Sequence, residues 1–316
     1  MLALGATTGL PTAAWAQEFP TQTIKIVVPY APGGQADITA RLIAEGLKTR
    51  LPQPVIVENR PGANGAIGTA LVAQATPDGH TLVLVVASHV FGKALMPNLS
   101  FDPIKSFAPI TMTARTPVVM VATPTLPVTT LADFVAYAKS KHGELAYASA
   151  GNGSNVHVFG QWFNQLAKLN MIHVPYKGSA AAHTDLIAGR THVVFDTLPS
   201  VQGHIAQGSL KLLAAGGKTR LAQFPDVPTV AESGYAGYEA ASWGAVLAPS
   251  GTPKPIVDKL NREIVAVLKS DAVKSRMASF GSEVVANSPD ELLAVLEAEA
   301  KLYGTLIRDL GIKMDQ

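Results

Sequence analysis

Short apolar runs alternate with stretches of helical periodicity along most of this chain. Ile24–Val28, residues 55–58 and Thr81–Val86 are β-branched or continuously apolar, the pattern of strands buried on both faces. Between the first two, Ile38, Leu42, Ile43 and Leu47 recur at helical spacing, which predicts a helix starting at Asp37 with that residue as its N-cap. A second helical stretch follows the turn at 59–65 and runs to about Gln74. The alternation predicts an α/β fold with a parallel sheet covered on both faces, in which ligands collect outside the carboxyl ends of the strands. The loops at 29–36, 59–65 and 87–89 would share that edge.

The pattern then restarts. Residues 117–122 read as a strand, Leu131–Ser140 as a helix and 145–149 as a strand. After a glycine-rich turn at 150–155, Val156, Phe159, Phe163 and Leu166 mark another helix, with Ser154 as N-cap. Strands follow at 173–176, 192–196, 210–215 and 243–247, with a helix over 180–188 and three closing helices over 256–269, 271–279 and 289–310. The chain is expected to cross between two α/β units near 113–117 and again near 239–243. That divides it into a discontinuous domain 1 (17–117 plus 242–316) and a domain 2 (118–241), hinged at the two crossings.

Both units place a strand, a glycine turn and a helix N-terminus in that order, an arrangement that attracts anions through unpaired N–H groups and the helix dipole. Gly33-Gly34 alone fits a phosphate, a carboxylate or a turn that only needs positive φ. The second copy at 151–154 points to a clamp for a molecule with two carboxylates. A nucleotide enzyme is the competing reading, because Glu58 follows the glycines by about 20 residues as in a dinucleotide fold. The turn lacks the GxGxxG spacing, however, and no GxxxxGK[ST] occurs. Ser154 is displaced from a GxSxG pattern and is better read as a cap. His157, one helical turn on, either reaches the cleft or packs against its helix. Asp196 closes an apolar strand, where it either accepts a bond from a ligand hydroxyl, ammonium or ring N–H or caps the 197–200 turn.

Composition narrows the classes further. A net charge of +2 without a basic run argues against nucleic acid. The absence of cysteine excludes disulfides, thiolate metal sites and a cysteine nucleophile, and the eight histidines show no metal-ligand spacing. No metal or cofactor is expected. Residues 1–16 carry no charge and end Ala14-Trp15-Ala16 before Gln17, which reads as the remnant of a secretory signal cleaved near Ala16/Gln17. No other apolar run reaches the ~20 residues of a membrane span, so export would deliver a soluble protein.

Taken in order, several pieces resemble the Bug family of periplasmic solute receptors that serve tripartite tricarboxylate transporters. They include Val28-Pro29-Tyr30-Ala31-Pro32-Gly33-Gly34 with Asp37 and Ala40-Arg41, then Val57-Glu58-Asn59-Arg60-Pro61-Gly62-Ala63 and Thr76-Pro77-Asp78-Gly79. Further on come Gly151-Asn152-Gly153-Ser154, Val174-Pro175-Tyr176-Lys177-Gly178, Phe195-Asp196, Asp226-Val227-Pro228-Thr229 and Ala248-Pro249-Ser250-Gly251-Thr252-Pro253. The resemblance spans about Phe19 to Lys313. It implies a two-lobed type II periplasmic binding fold that closes on an aliphatic or aromatic carboxylate without catalysis, as a monomer serving membrane transporter subunits. A ligand sensor for a signalling kinase would share that fold. Carried over by position, the ligand-facing candidates are Ala31, Gly33, Gly34, Gln35 and Ala36, then Ser88, Ser154, His157 and Asp196. This chain departs from the family pattern at Gln35-Ala36, where a Gly-Thr pair is common. It departs again in the 87–91 loop, and at Ala182-His183, where relatives often carry a proline and an apolar residue.

Overall fold

A computed structural model describes residues 19–279 and 281–313, so the expected signal remnant lies outside the described residues. The chain opens with β1 (Ile24–Val28), α1 (Gln35–Leu47), β2 (Val55–Asn59), α2 (Ala66–Ala73), β3 (Thr81–Val86) and a short α3 (Gly92–Leu95). A long strand, β4 (Phe107–Ala122), leads into α4 (Leu131–Ser140), β5 (Ala146–Ser149), α5 (Asn155–Leu166), β6 (Ile172–Pro175) and α6 (Ser179–Ile187). Then come β7 (Val193–Thr197), α7 (Leu198–Ala206), β8 (Lys211–Ala215) and β9 (Ala241–Pro249). The chain closes with α8 (Lys254–Leu268), α9 (Asp271–Ser279), β10 (Glu283–Val284) and α10 (Pro289–Asp309).

Two sheets form two lobes, and β4 belongs to both. Its first part pairs with β9 from Phe107 to Pro117 and with β10, completing a sheet in the order β2-β1-β3-β9-β4-β10. Its last part, Val118 to Ala122, lies between β7 and β8 in a second sheet that continues through β5 to β6. The sheets are mixed rather than parallel throughout. The pairs β1–β2, β1–β3, β5–β6 and β5–β7 are parallel, as the alternation predicts, but β9 runs antiparallel to β3 and β4, and β4 antiparallel to β7 and β8. The strand expected to begin at 117 therefore begins ten residues earlier. Its ladder to β9 shifts register between Pro109 and Thr111 and between Met112 and Ala114, bulges that accommodate a proline and break the apolar alternation.

Apolar clusters hold the layers together. One covers the α1/α8 face of the first sheet (Ile26, Ile43, Leu84, Val246, Leu260, Ile264), and another covers a face of the second sheet (Val121, Val194, Leu186, Val201). A third runs through both lobes, from Val27 and Val85 through Trp243 to Phe134, Phe163 and Phe195. Helix α10 seals this core, its Tyr303 ring lying 4.7 Å from Phe91 and 6.2 Å from Phe159. The start of α10 is fixed by a capping box in which Ser288 and Glu291 satisfy each other's backbone N–H groups, with Pro289 in the first turn. Ser288→Ala is expected to cost about 1 kcal/mol of unfolding free energy, read from a shifted urea midpoint with unchanged slope.

Candidate functional site

Because β1, β2 and β3 are parallel neighbours, the loops that follow them emerge at one edge. The β1–α1 loop is organised from below by Asp37. The helix begins at Gln35 with Gly34 as N-cap, two residues before the expected start, so Asp37 sits inside the first turn rather than capping it. Its carboxylate turns back and accepts from the Gly33 N–H, Arg41 Nε and Asn59 Nδ2, each at 3.0 Å. Burial pushes the Asp37 carboxyl up, but the Arg41 guanidinium and these N–H donors outweigh it and hold the group below its ordinary value. Asn59 also donates to the Tyr30 carbonyl at 3.2 Å, tying the start of the loop to β2. Gly33 holds φ at +83°, a left-handed conformation that glycine adopts freely. Behind the loop, α2 approaches so closely at Gly68 that a Cβ there would lie 2.6 Å from the Arg60 carbonyl oxygen.

Gly34 supplies no side-chain cap, so the first N–H groups of α1 stay open to whatever enters beside them. Gly33, Gly34, Gln35, Ile38 and Thr39 form one wall of a cavity of about 150 Å³. The opposite wall comes from the second lobe: Thr197, Pro199 and Ser200, the N-terminal turn of α7, with Met277 and Ser282 closing the end. Thr197 is the N-cap of α7 and likewise makes no side-chain cap bond. Its hydroxyl lies 3.1 Å from the Ser200 hydroxyl, which donates to the Thr197 carbonyl at 2.7 Å. Two uncapped helix N-termini, one from each lobe, thus face one small cavity. A larger groove of about 920 Å³ lies elsewhere on the first lobe, between α2, the 94–100 segment and the end of α10, and is lined mainly by Ile67, Leu95, Ile307 and other apolar residues.

The residues singled out from the sequence occupy different depths. Ala31, Gly33 and Gly34 are exposed in the loop, and Ala36 is buried in the first turn of α1. The Gln35 amide donates to the Thr116 hydroxyl, itself 3.0 Å from the Ser282 hydroxyl, which ties α1 to β4 where that strand passes between the sheets. Ser88 is buried and bonded to the Tyr30 phenol, which accepts the Val86 N–H at 3.4 Å. Ser154 caps α5, accepting the His157 N–H at 3.2 Å and donating to the Gly151 carbonyl at 2.8 Å. His157 stays within its own lobe: Nδ1 accepts the Gly153 N–H at 3.1 Å, and the ring stacks on His173 at 3.7 Å. Burial and the neighbouring His173 push His157 down to about 3, so it is neutral at physiological pH. Asp196 is buried and accepts from His183 Nε2 at 3.0 Å and from the Thr197 N–H at 2.7 Å.

Of these residues Gly33, Gly34 and Gln35 line the cavity, whereas Ser88, Ser154, His157 and Asp196 are buried and do not line it. The 151–154 turn meets the first lobe where Asn64 Nδ2 donates to the Gly153 carbonyl at 2.9 Å. Sequence reasoning missed Thr197, Ser200, Thr116, Ser282 and Asn64. The helix start at 197–200 did carry a signal, a threonine followed two residues later by proline, which suits an N-cap and first helical turn. Among the described residues, no group of three or more His, Asp or Glu is placed to hold a metal, and no helix is long and apolar enough to cross a membrane.

Known proteins share this architecture. Residues 39–312 match the family described as "Tripartite tricarboxylate transporter family receptor". Protein BugT of Bordetella pertussis is 37% identical over 313 residues, covering 98% of this chain and 95% of the relative. Two solved structures share the whole architecture. One is a Rhodopseudomonas palustris protein with adipate, at TM-score 0.88 and 34% identity over 94% of this chain and 100% of that one. The other is MatC from R. palustris with bound malate, at TM-score 0.84 and 32% identity over 92% of this chain and 100% of that one.

Proposed function

This chain belongs to the tripartite tricarboxylate transporter family of receptors, solute-binding proteins rather than enzymes, and from that premise we propose that it captures a small carboxylate between its lobes for uptake by a transporter. The observation that carries this reading is the pair of uncapped helix N-termini across one cavity. Each end offers N–H donors and a positive dipole end to a carboxylate, with hydroxyl groups of Thr197 and Ser200 beside the second. A two-ended donor arrangement favours an aliphatic dicarboxylate over an aromatic monocarboxylate. The adipate and malate carried by the two structural relatives have this form.

In the proposed cycle the lobes, 17–117 plus 242–316 and 118–241, open about β4 and the 239–243 crossing, and close when the ligand bridges the two helix ends. The Asn64–Gly153 bond then acts as a latch on the rim. The receptor is placed in the periplasm after cleavage near Ala16/Gln17, works as a monomer, and delivers its ligand to membrane subunits of the transporter. It binds neither nucleic acid nor a cofactor.

A metabolite panel tests the reading by thermal shift. A dicarboxylate at 100 times its Kd adds about 2.7 kcal/mol to the folded state, a clear rise in melting temperature. If nucleotides stabilise the protein and no carboxylate does, the receptor reading fails. Asn64→Gly, which removes the amide and tolerates the left-handed backbone at this position, is expected to raise the Kd of the ligand so found about fivefold through the loss of one hydrogen bond between the lobes. Titration calorimetry on both proteins checks it.

A further inference from the structure

Asp196 sits directly under the second-lobe wall of the cavity. It is 3% exposed, lies one residue before the end of β7, and precedes Thr197, the N-cap of α7. One carboxylate oxygen accepts the Thr197 N–H at 2.7 Å, so its negative charge is aimed at the helix end that faces the ligand space. Left alone, that charge would repel an incoming carboxylate from the very N-terminus meant to hold it. The other oxygen accepts from His183 Nε2 at 3.0 Å, and His183 is itself 5% exposed on α6. Burial pushes the Asp196 carboxyl up, but His183, Ser179 and the Thr197 N–H outweigh it and hold the group below its ordinary value.

We infer that His183, as an imidazolium, is the counter-ion that makes the α7 end of the cavity receptive to an anion, a positioning residue that acts through Asp196 and couples carboxylate capture to one proton. The inference rests on the carboxylate reading of the cavity and adds to it a residue and a pH dependence. The charged or titratable groups around His183 are few. Asp196 approaches from β7, and His204 from α7, its ring 5.8 Å away and its Nδ1 3.3 Å from the Ser209 hydroxyl. On α6 itself Asp185 is turned elsewhere, toward the Tyr176 phenol at 2.8 Å and Arg190 at 2.6 Å. The remaining neighbours in that core, such as Leu186, Leu198 and Val201, are apolar. With the proton on His183 the pair is neutral overall, and the helix dipole alone faces the ligand. Without it, a net negative charge lies under the site.

The test uses the full chain with succinate, malate and adipate as probes, titrated between about pH 6 and about pH 8, the range in which histidine changes charge. Affinity for a bound dicarboxylate is expected to fall as pH rises, approaching tenfold per pH unit once the pair loses its proton. His183→Gln is expected to bind at least about tenfold more weakly at the low end and to lose the pH dependence. The double variant His183→Gln, Asp196→Asn, which removes both charges, is expected to recover affinity and stay flat with pH. A wild-type affinity that does not change with pH, or a double variant no better than His183→Gln, overturns the inference. So does a nuclear magnetic resonance spectrum showing a neutral His183 ring at pH 6 in the unliganded protein, a readout that needs no ligand. Failure of all three probes and of the wider panel would instead count against the carboxylate reading, while the ring's protonation state would still decide the role of His183.

Discussion

Asp37→Ala is expected to weaken carboxylate binding by roughly a hundredfold and to lower stability by about 2–3 kcal/mol. The residue is 4% exposed, and its carboxylate holds three groups: the Gly33 N–H, Arg41 and Asn59. Alanine leaves the Gly33 N–H without its acceptor and Asn59 with only the Tyr30 carbonyl, and it frees Gly33, whose conformation sets the open helix end beside it. Arg41 is largely exposed and can return to water, so the penalty falls mainly on the loop. Asp37→Asn keeps an acceptor for one donor and should fall between the two. The carboxyl is held below its ordinary value in the folded protein. Its contribution is therefore fully present above the unfolded value near 3.8 and disappears as pH falls through the lower folded value. Urea melts of wild type and Asp37→Ala should accordingly differ at neutral pH and converge in acid. A binding constant within threefold of wild type would show that Asp37 does not organise the site.

Trp243→Ala is expected to be the more damaging change for the fold, costing about 3–5 kcal/mol and lowering the melting temperature by on the order of 10 °C. Trp243 is 1% exposed on β9, opposite Arg115 of β4, in the cluster that runs through both lobes. Its indole N–H donates to Glu299 of α10, a half-buried carboxylate whose pKa is raised by burial, against the pull of Trp243 and the more distant Arg115. Alanine removes the ring volume and strips Glu299 of its nearest donor. Trp243→Phe separates the two effects: it keeps most of the packing, loses the N–H, and should cost about 1–3 kcal/mol. Chemical denaturation of the two variants decides it. An alanine variant within 1 kcal/mol of wild type would mean that the core closes around the gap.

Much of this molecule was legible in its residues because buried strands and amphipathic helices advertise themselves by period. The strands at Ile24–Val28 and Thr81–Val86 and the helix at Leu131–Ser140 fall where the pattern puts them. β4 was only half visible. Pro109, the threonines at 111, 113 and 116, and Pro117 obscure a strand whose partner comes more than a hundred residues later, and pairing over that distance leaves no local trace. The first cavity wall was legible because glycine pairs before a helix are rare enough to notice. The turn at 151–154 repeats the same motif, but there Ser154 caps α5 and His157 accepts the Gly153 N–H, and none of these residues lines that cavity. The open end across the cavity belongs to α7, whose start contains no glycine. Which of two helix ends is already satisfied depends on side chains folding back, and spacing alone does not record that.

The place of β9 has a consequence for how the molecule comes into being. It lies between β3 and β4 in the middle of the first sheet, yet it is made after every strand of the second. While the chain is being synthesised, the N-terminal half therefore holds two unjoined pieces of sheet with open edges, and they cannot zip together until residue 249 has emerged. The order of strands thus delays completion of the first sheet until the chain has been made as far as β9.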